Sequence, residues 1–188
     1  MKNHKKASSR GSLLFLAILT CALFAQPAAA ATLVGFWSFN EGQGIIAADS
    51  SGSGNNGTLI NSPGWIAGES GNALNFASGG RGYVSASGAE SLADLYTHGM
   101  TVAAWIKPRS GGGGNGGRII DKDNNNGGWL FAMNGAAGIK LAIDTFSTSS
   151  PSRASTASIQ LNVWQHVAAT WDGSTGRSIS TSRIAATT

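Results

Sequence analysis

The sequence predicts an all-β fold, either a sandwich or a barrel of antiparallel strands. Short segments with the two-residue period of a strand recur along the chain, and loops rich in Gly, Asn and Ser separate them. After residue 30, helical periodicity is nearly absent except for a short turn expected over 89–95. The chain holds 27 Gly and 6 Trp, and many tight turns combined with large flat side chains are typical of such folds.

Ten strands are predicted in chain order. They cover residues 33–39, 57–60, 73–76, 82–86, 100–108, 118–122, 128–133, 139–144, 155–160 and 164–171. The alternation is most regular over 100–106, and Pro108 ends this strand because proline cannot donate to a ladder. Its even-numbered residues, from Met100 to Ile106, are expected to face the core. The other face then carries Thr101, Ala103, Trp105 and Lys107.

The first thirty residues have the pattern of a secretory signal peptide. Basic residues within the first ten positions precede an apolar run over 13–25, and three alanines end at Ala30. The run is shorter than the roughly 20 residues that a membrane-spanning helix needs. We therefore expect cleavage after Ala30 and a secreted protein, extracellular or periplasmic, with no membrane anchor after cleavage. Cys21 is removed with the signal, so the mature fold must hold without disulfides.

The charge distribution argues against a nucleic-acid partner. Four of the 13 Lys and Arg residues lie in the first ten positions, so residues 31–188 carry nine basic and nine acidic side chains. The sequence pI of about 9.6 therefore reflects mainly the signal peptide. Nucleic-acid binding usually needs clustered Lys and Arg residues, and the mature sequence has no such cluster.

Several blocks of sequence, taken in order, resemble a known family. They are FWSFNEGQG, AADSSGSGNNGTL, NALNF, AAWIKP and WQHVAATWDG. Together they resemble the LamG-like (concanavalin A-like) jelly-roll domains of secreted proteins, over residues 33–173. The resemblance implies an antiparallel two-sheet jelly-roll β-sandwich, with one domain over 31–176. The family's closing strands do not follow Gly173, so we expect them to be missing.

The expected loss of these strands has two consequences. Residues 177–188 are interpreted as an irregular tail, for which a frameshift is one hypothesis. An incomplete sandwich would also expose unpaired backbone groups beside apolar residues, which favours aggregation. The sequence therefore predicts a chain that is marginally stable or prone to aggregate.

Signals for catalysis are weak. Asp121 and Asp123 have the alternating spacing of the carboxylate pair in sandwich glycanases, but Lys122 and three asparagines surround them. This context favours a strand that runs into a solvated turn. His166 resembles a structural histidine of the family, and no G-x-S-x-G motif accompanies it. We therefore predict that the chain is not an enzyme.

The loop over 49–57 is the best candidate for a metal site. Asp49, Asn55 and Asn56 offer hard oxygen ligands, and the glycines between them let backbone carbonyls turn inward, as calcium requires. Calcium is thus the candidate cofactor. The alternative is a hydrogen-bonded turn in which Asp49 satisfies backbone donors. Asn56 also begins an N-glycosylation acceptor, although its Asn-Gly dipeptide is equally a favoured hairpin turn.

Exposed tryptophan faces can stack on sugars while nearby amides bind sugar hydroxyls. Trp65 and Trp129 lie beside loops, and Asn126 is close to Trp129 in sequence, so these three residues are the candidate ligand-binding residues. For Trp129 a structural role is the alternative, because strand tryptophans are often buried. The remaining tryptophans lie in predicted strands and are assigned to the core: Trp37, Trp105, Trp164 and Trp171.

The resemblance implies a secreted, non-catalytic recognition module of the LamG-like lectin type, which binds a glycan or an extracellular protein. A second hypothesis is an accessory or degenerate domain of a polysaccharide-degrading enzyme. A third is a structural adhesion domain. The fold alone cannot choose among them, because this sandwich hosts many functions.

Overall fold

The computed structural model describes residues 31–76, 81–86, 90–93, 95, 99–112, 117–122, 128–134, 140–145, 153–171 and 173. Eleven strands lie within these residues, and all of their pairings are antiparallel. They are β1 (Ile46–Ala47), β2 (Gly57–Ile60), β3 (Gly64–Ala67), β4 (Asn72–Asn75), β5 (Tyr83–Ser85), β6 (Met100–Ile106), β7 (Gly117–Asp121), β8 (Trp129–Asn134), β9 (Lys140–Thr145), β10 (Arg153–Ser158) and β11 (Gln165–Trp171). The predicted all-β class is confirmed.

The described strands form four hydrogen-bonded sheets. The first half of the chain contributes the sheet β1-β2-β5 and the pair β3-β4, and the second half contributes the sheet β10-β9-β8-β7 and the pair β11-β6. A 3-10 helix, Glu90–Leu92, lies within the turn that the sequence predicts over 89–95. Within the described ranges, no helix has the length and hydropathy needed to span a bilayer.

The first predicted strand, over 33–39, is wrong. Only Trp37 makes a ladder contact there, through an isolated bridge to Asp49. The N–H of Phe36 donates to the Asp49 carboxylate at 2.9 Å, and Phe39 has a φ of 55°, in the left-handed region that ends an extended segment. A side chain therefore occupies the backbone donor that a neighbouring strand would otherwise use.

The other nine predicted strands are present, each within two residues of its predicted ends. Two short strands, β1 and β3, were not predicted. Both have few residues, and the dominant signals around them are turn residues, so a two-residue period has too little length to show.

The main core lies between the β6-β11 pair and the sheet that contains β8. Its buried members are Met100, Trp129, Phe131, Met133, Ile159, Val167, Ala169 and Trp171. Val102, Ala104 and Ile106 pack against this cluster from β6, which confirms the predicted core face of that strand. Two sheets thus share one apolar interior, as in a β-sandwich.

Strands β6 and β11 pair without a bulge, from Gln165 opposite Ile106 to Trp171 opposite Met100. Because side chains alternate between the two sides of a sheet, this register brings three cross-strand pairs to the side away from the core. These pairs are Thr101 with Thr170, Ala103 with Ala168, and Trp105 with His166. We call these six residues the outer face.

Candidate functional site

The outer face carries an aromatic pair at one end. Trp105 is 37% exposed even though it lies in a strand that is paired along its whole length. Its ring centroid is 5.6 Å from that of His166, with 65° between the ring planes, which is an edge-to-face arrangement. Because the two rings do not stack in parallel, the pair presents an aromatic surface to solvent.

The opposite end of the outer face carries two hydroxyl groups. Thr101 Oγ1 and Thr170 Oγ1 are 3.1 Å apart, and both residues are exposed. Between the two ends, Ala103 and Ala168 contribute only methyl groups, so the middle of the face is shallow. Thr101 and Trp105 are four residue steps apart along an antiparallel strand, or about 14 Å.

The turn before β11 is clamped by one buried polar side chain. Gln165 is 5% exposed, yet its amide group is fully used. Its Nε2 donates to Gln160 O at 2.7 Å and to Val163 O at 3.3 Å, and its Oε1 accepts from Gln160 N at 3.3 Å. This clamp fixes where β11 begins, and therefore the register that sets His166 opposite Trp105.

A second contact ties the same turn to the end of β6. Asn162 has a φ of 61°, which asparagine tolerates better than most residues, and its N–H donates to Pro108 O at 2.7 Å. Both strands are therefore held by described hydrogen bonds at the end of the β6-β11 pair where Trp105 and His166 lie.

The structure reverses the predicted burial of two tryptophans. Trp129 is 5% exposed and belongs to the main core, so its ring has little surface to offer a ligand from solvent. Its indole N–H has no hydrogen-bond partner within the described part of the chain. Trp105, which the sequence assigned to the core, is instead on the outer face. The alternation of β6 contained this signal, because Trp105 shares its parity with Thr101 and not with Met100.

Neither of the other two predicted ligand-binding residues, Trp65 and Asn126, has a described contact that supports ligand binding. Trp65 is half-buried on β3, and its indole N–H donates to Gly44 O at 3.0 Å, which fixes it against the preceding loop. Asn126 lies outside the described residues. The structure does not bring Trp65 and Trp129 together, since they belong to different sheets.

Asp49 organises its loop by accepting four hydrogen bonds. Oδ1 accepts from the N–H groups of Phe36 and Ser51, and Oδ2 accepts from Asn55 N and Ser51 Oγ, each at 2.9 Å. Desolvation would by itself raise the pKa of Asp49. The hydrogen bonds outweigh it and hold this pKa well below its usual range, because they stabilise the charged carboxylate.

Asn55 and Asn56 are equally committed. Asn55 is buried, and its Nδ2 donates to Val34 O at 2.6 Å while its Oδ1 accepts from Ser91 Oγ at 3.0 Å. Asn56 Oδ1 accepts from Asp49 N at 2.9 Å. A carboxylate has about four lone-pair positions, and those of Asp49 are all in use.

These three residues therefore form the hydrogen-bonded turn that the sequence offers as the alternative to a calcium site. In addition, no group of three or more His, Cys, Asp or Glu side chains that could hold a metal lies among the described residues. These contacts do not test the calcium binding that the sequence suggests, and a calcium titration of the melting temperature does.

The Asn-Gly dipeptide is not a hairpin turn. The connection between β1 and β2 runs from 48 to 56, which is longer than a two-residue turn, and Gly57 is already part of β2. Neither Asn56 nor Gly57 has the positive φ of a type I′ turn. Asn56 is exposed and serves instead as the acceptor that fixes Asp49 N.

Of the two carboxylates with the spacing of a catalytic pair, the structure describes only Asp121. Asp121 ends β7 and forms an ion pair with Arg118, whereas Asp123 lies outside the described residues. Asp121 is thus paired with a cation on its own strand, which fits the predicted strand that runs into a solvated turn.

One family profile matches the chain. It is described as the concanavalin A-like lectin/glucanases superfamily, and it matches residues 78–180. The match covers more than half of the chain and includes β6 to β11. The chain belongs to this superfamily, and its fold is the antiparallel β-sandwich that the LamG-like resemblance implies. No curated protein and no solved structure gave a match.

Proposed function

We propose that the chain is a secreted, non-catalytic recognition module that binds a glycan through its outer face. The observation that carries the proposal is the exposed Trp105 ring near the end of the β6-β11 pair, with His166 set edge-on beside it. The superfamily, whose description names lectins and glucanases, supports a carbohydrate ligand.

The chemistry of the outer face suits a sugar. The apolar C–H side of a pyranose ring packs on an aromatic face, and a small number of placed polar groups then fixes its orientation. The methyl groups of Ala103 and Ala168 allow a flat ligand to approach the sheet closely. The hydroxyls of Thr101 and Thr170 supply both donors and acceptors for sugar hydroxyls.

Two further points support the remaining parts of the proposal. The n-region, apolar run and alanine tract of residues 1–30 support secretion. The ion pair of Asp121 with Arg118 supports a structural role for that carboxylate, whereas a glycanase needs two carboxylates held on either side of the scissile bond.

Affinity electrophoresis of the exported protein in gels that contain neutral or acidic polysaccharides tests the proposal. We expect at least one polysaccharide to retard the wild type, and Trp105→Ala to weaken that binding about tenfold or more, because aromatic anchors carry much of a binding energy. Tyr83→Ala is the matched control, since Tyr83 is an exposed aromatic residue of another sheet.

Equal retardation of wild type and Trp105→Ala would contradict this assignment of the site, and no retardation by any polysaccharide would contradict glycan binding. A reducing-sugar assay on the same samples separates the enzyme hypothesis. We expect no sugar release, and sustained release by the wild type would favour a polysaccharide-degrading enzyme instead.

A further inference from the structure

The outer face has two polar or aromatic ends and an open middle. Trp105 and His166 mark one end, and the Thr101–Thr170 pair marks the other, about 14 Å away. The methyl side chains of Ala103 and Ala168 between the two ends are too short to block a ligand that lies along the face. A ligand that touches both ends must therefore be long and flat, and nothing on the six side chains requires it to be a chain terminus.

The six side chains of the outer face include no carboxylate and no ammonium group, and on the same side of the sheet the exposed Lys107 lies two residues beyond Trp105. One ammonium group beyond the aromatic end, and none between Trp105 and Thr101, gives a charged peptide or an anionic polymer few counter-charges along the face. Hydroxyl-rich ligands without charge match it better, since their polar groups need hydrogen bonds and not counter-charges.

The size of the face argues against a protein partner. Two strands about 4.8 Å apart and about 14 Å of strand length give a footprint on the order of 150 Å². A stable protein interface buries about 800 Å² on each partner. By itself, then, this face suits a narrow polymer and is too small for a second copy of the chain.

The threonine pair retains hydrogen-bonding capacity. Two hydroxyl groups have two protons, and the contact between Thr101 Oγ1 and Thr170 Oγ1 uses only one of them. The second proton and the remaining lone pairs can reach a ligand on the solvent side. Because each threonine orients the other, the pair is prepared for this contact before a ligand arrives.

We propose that the outer face binds an internal segment of a neutral, linear polysaccharide at two points, with one sugar ring on Trp105 and a later unit at the Thr101–Thr170 pair. This inference rests on the proposed function and adds the ligand class and the second contact. It assigns a binding role to two threonines that the sequence did not single out.

Isothermal titration with neutral gluco- and manno-oligosaccharides, from the monosaccharide to the hexasaccharide, tests the inference. In at least one series the wild type should bind longer oligomers more tightly, because only these reach both contact points. Trp105→Ala should lose binding at every length. The double variant Thr101→Val/Thr170→Val keeps the β-branched shape of both residues and removes the hydroxyls, so it should lose about two- to tenfold in affinity for long oligomers only.

Thr58→Val in β2 is the matched control and should bind like the wild type; thermal unfolding checks that each variant is folded. Length-independent affinity, an unchanged double variant, or no binding to either series would overturn the two-point inference. The proposed function would still stand if another glycan in the gel panel bound through Trp105, so the two failures are distinguishable.

Discussion

Asp49 connects residues that are distant in sequence through a single carboxylate. Its four hydrogen bonds reach Phe36, Ser51 and Asn55, and its own N–H is held by Asn56. Asn55 extends the same network, since its carbonyl oxygen accepts from Trp37 Nε1 at 2.8 Å. The loop that the sequence suggests as a metal site thus forms a hydrogen-bond network, and this network holds the segment over 34–37.

The first prediction concerns pH. The pKa of Asp49 is lower in the folded protein than its ordinary value of about 3.9. Its contribution to stability is therefore fully present above about pH 4 and is lost as the pH falls through the folded pKa. In urea unfolding at several pH values, Asp49→Asn should be less stable than the wild type at pH 7, and this difference should shrink with acidification. A difference that stays constant from neutral to acid pH would contradict the role of the charge.

A second prediction concerns calcium. Because hydrogen bonds already occupy the oxygens of Asp49, we expect calcium or EDTA to leave the melting temperature of the wild type unchanged. Asp49→Ala is the control and should melt at a lower temperature with the same lack of response. A ligand that binds only the folded state raises its stability by mass action, so a calcium-dependent increase in the wild type that Asp49→Ala lacks would restore the metal interpretation.

The sequence predicts the burial of single residues best where the alternation of a strand extends over several residues. The alternation of β6 correctly placed Met100, Val102 and Ile106 against the core. The same alternation puts Trp105 outside, in conflict with the general tendency of strand tryptophans to be buried. Trp129 follows two glycines, which indicates a loop edge, yet it shares its parity with Phe131 and Met133, so the alternation of β8 contained the signal for its burial.

At the scale of elements, the strands of the second half were predictable because each has five to seven residues with a clear period. The first half has strands of two to four residues, in which local turns and side-chain hydrogen bonds compete with the ladder. The segment over 33–39 illustrates this competition, since a side chain 13 residues away takes the Phe36 N–H.

Close packing around β2 gives a third prediction. A Cβ added at Gly57 would lie 2.3 Å from Val84 Cγ1 on the neighbouring strand β5. Gly57→Ala should therefore lower the free energy of unfolding by about 1–3 kcal/mol, the usual cost of overpacking. Gly64→Ala in β3 is the matched control, because nothing lies within 4 Å of the added Cβ. Equal stability of the two variants in urea unfolding would show that β2 and β5 can separate freely.

At the scale of the whole molecule, apolar exposure is uneven. The main core is formed by the second half of the chain, whereas most of the exposed large apolar side chains precede residue 84. They are Leu33, Phe36, Ile45, Ile46, Ile66, Phe76 and Tyr83. Exposed apolar side chains beside short strands are a recognised aggregation hazard.

We therefore keep the prediction that residues 31–188 alone are prone to aggregate. Size-exclusion chromatography at increasing concentration should show association, and heating should give an irreversible transition. A monomer at every concentration with a cooperative, reversible melt would contradict this expectation.

The fold class was the most predictable property of the molecule, since several short blocks in a fixed order specify it together. The site was less predictable, because it depends on which residues face each other across β6 and β11. Strand register cannot be derived from either strand alone. His166 therefore appeared as an isolated structural histidine until the pairing placed it opposite Trp105.

The most direct test of the proposed site is to observe the indole N–H signals of the 6 tryptophans by two-dimensional nitrogen–proton NMR while a retained polysaccharide's oligomer is added. Single Trp→Phe variants assign the signals. We expect the Trp105 signal to shift with saturation, and the signals of buried Trp129 and Trp171 to stay in place. A shift of Trp129 or Trp65 with an unmoved Trp105 would contradict the outer face as the binding site and return it to the residues that the sequence first suggested.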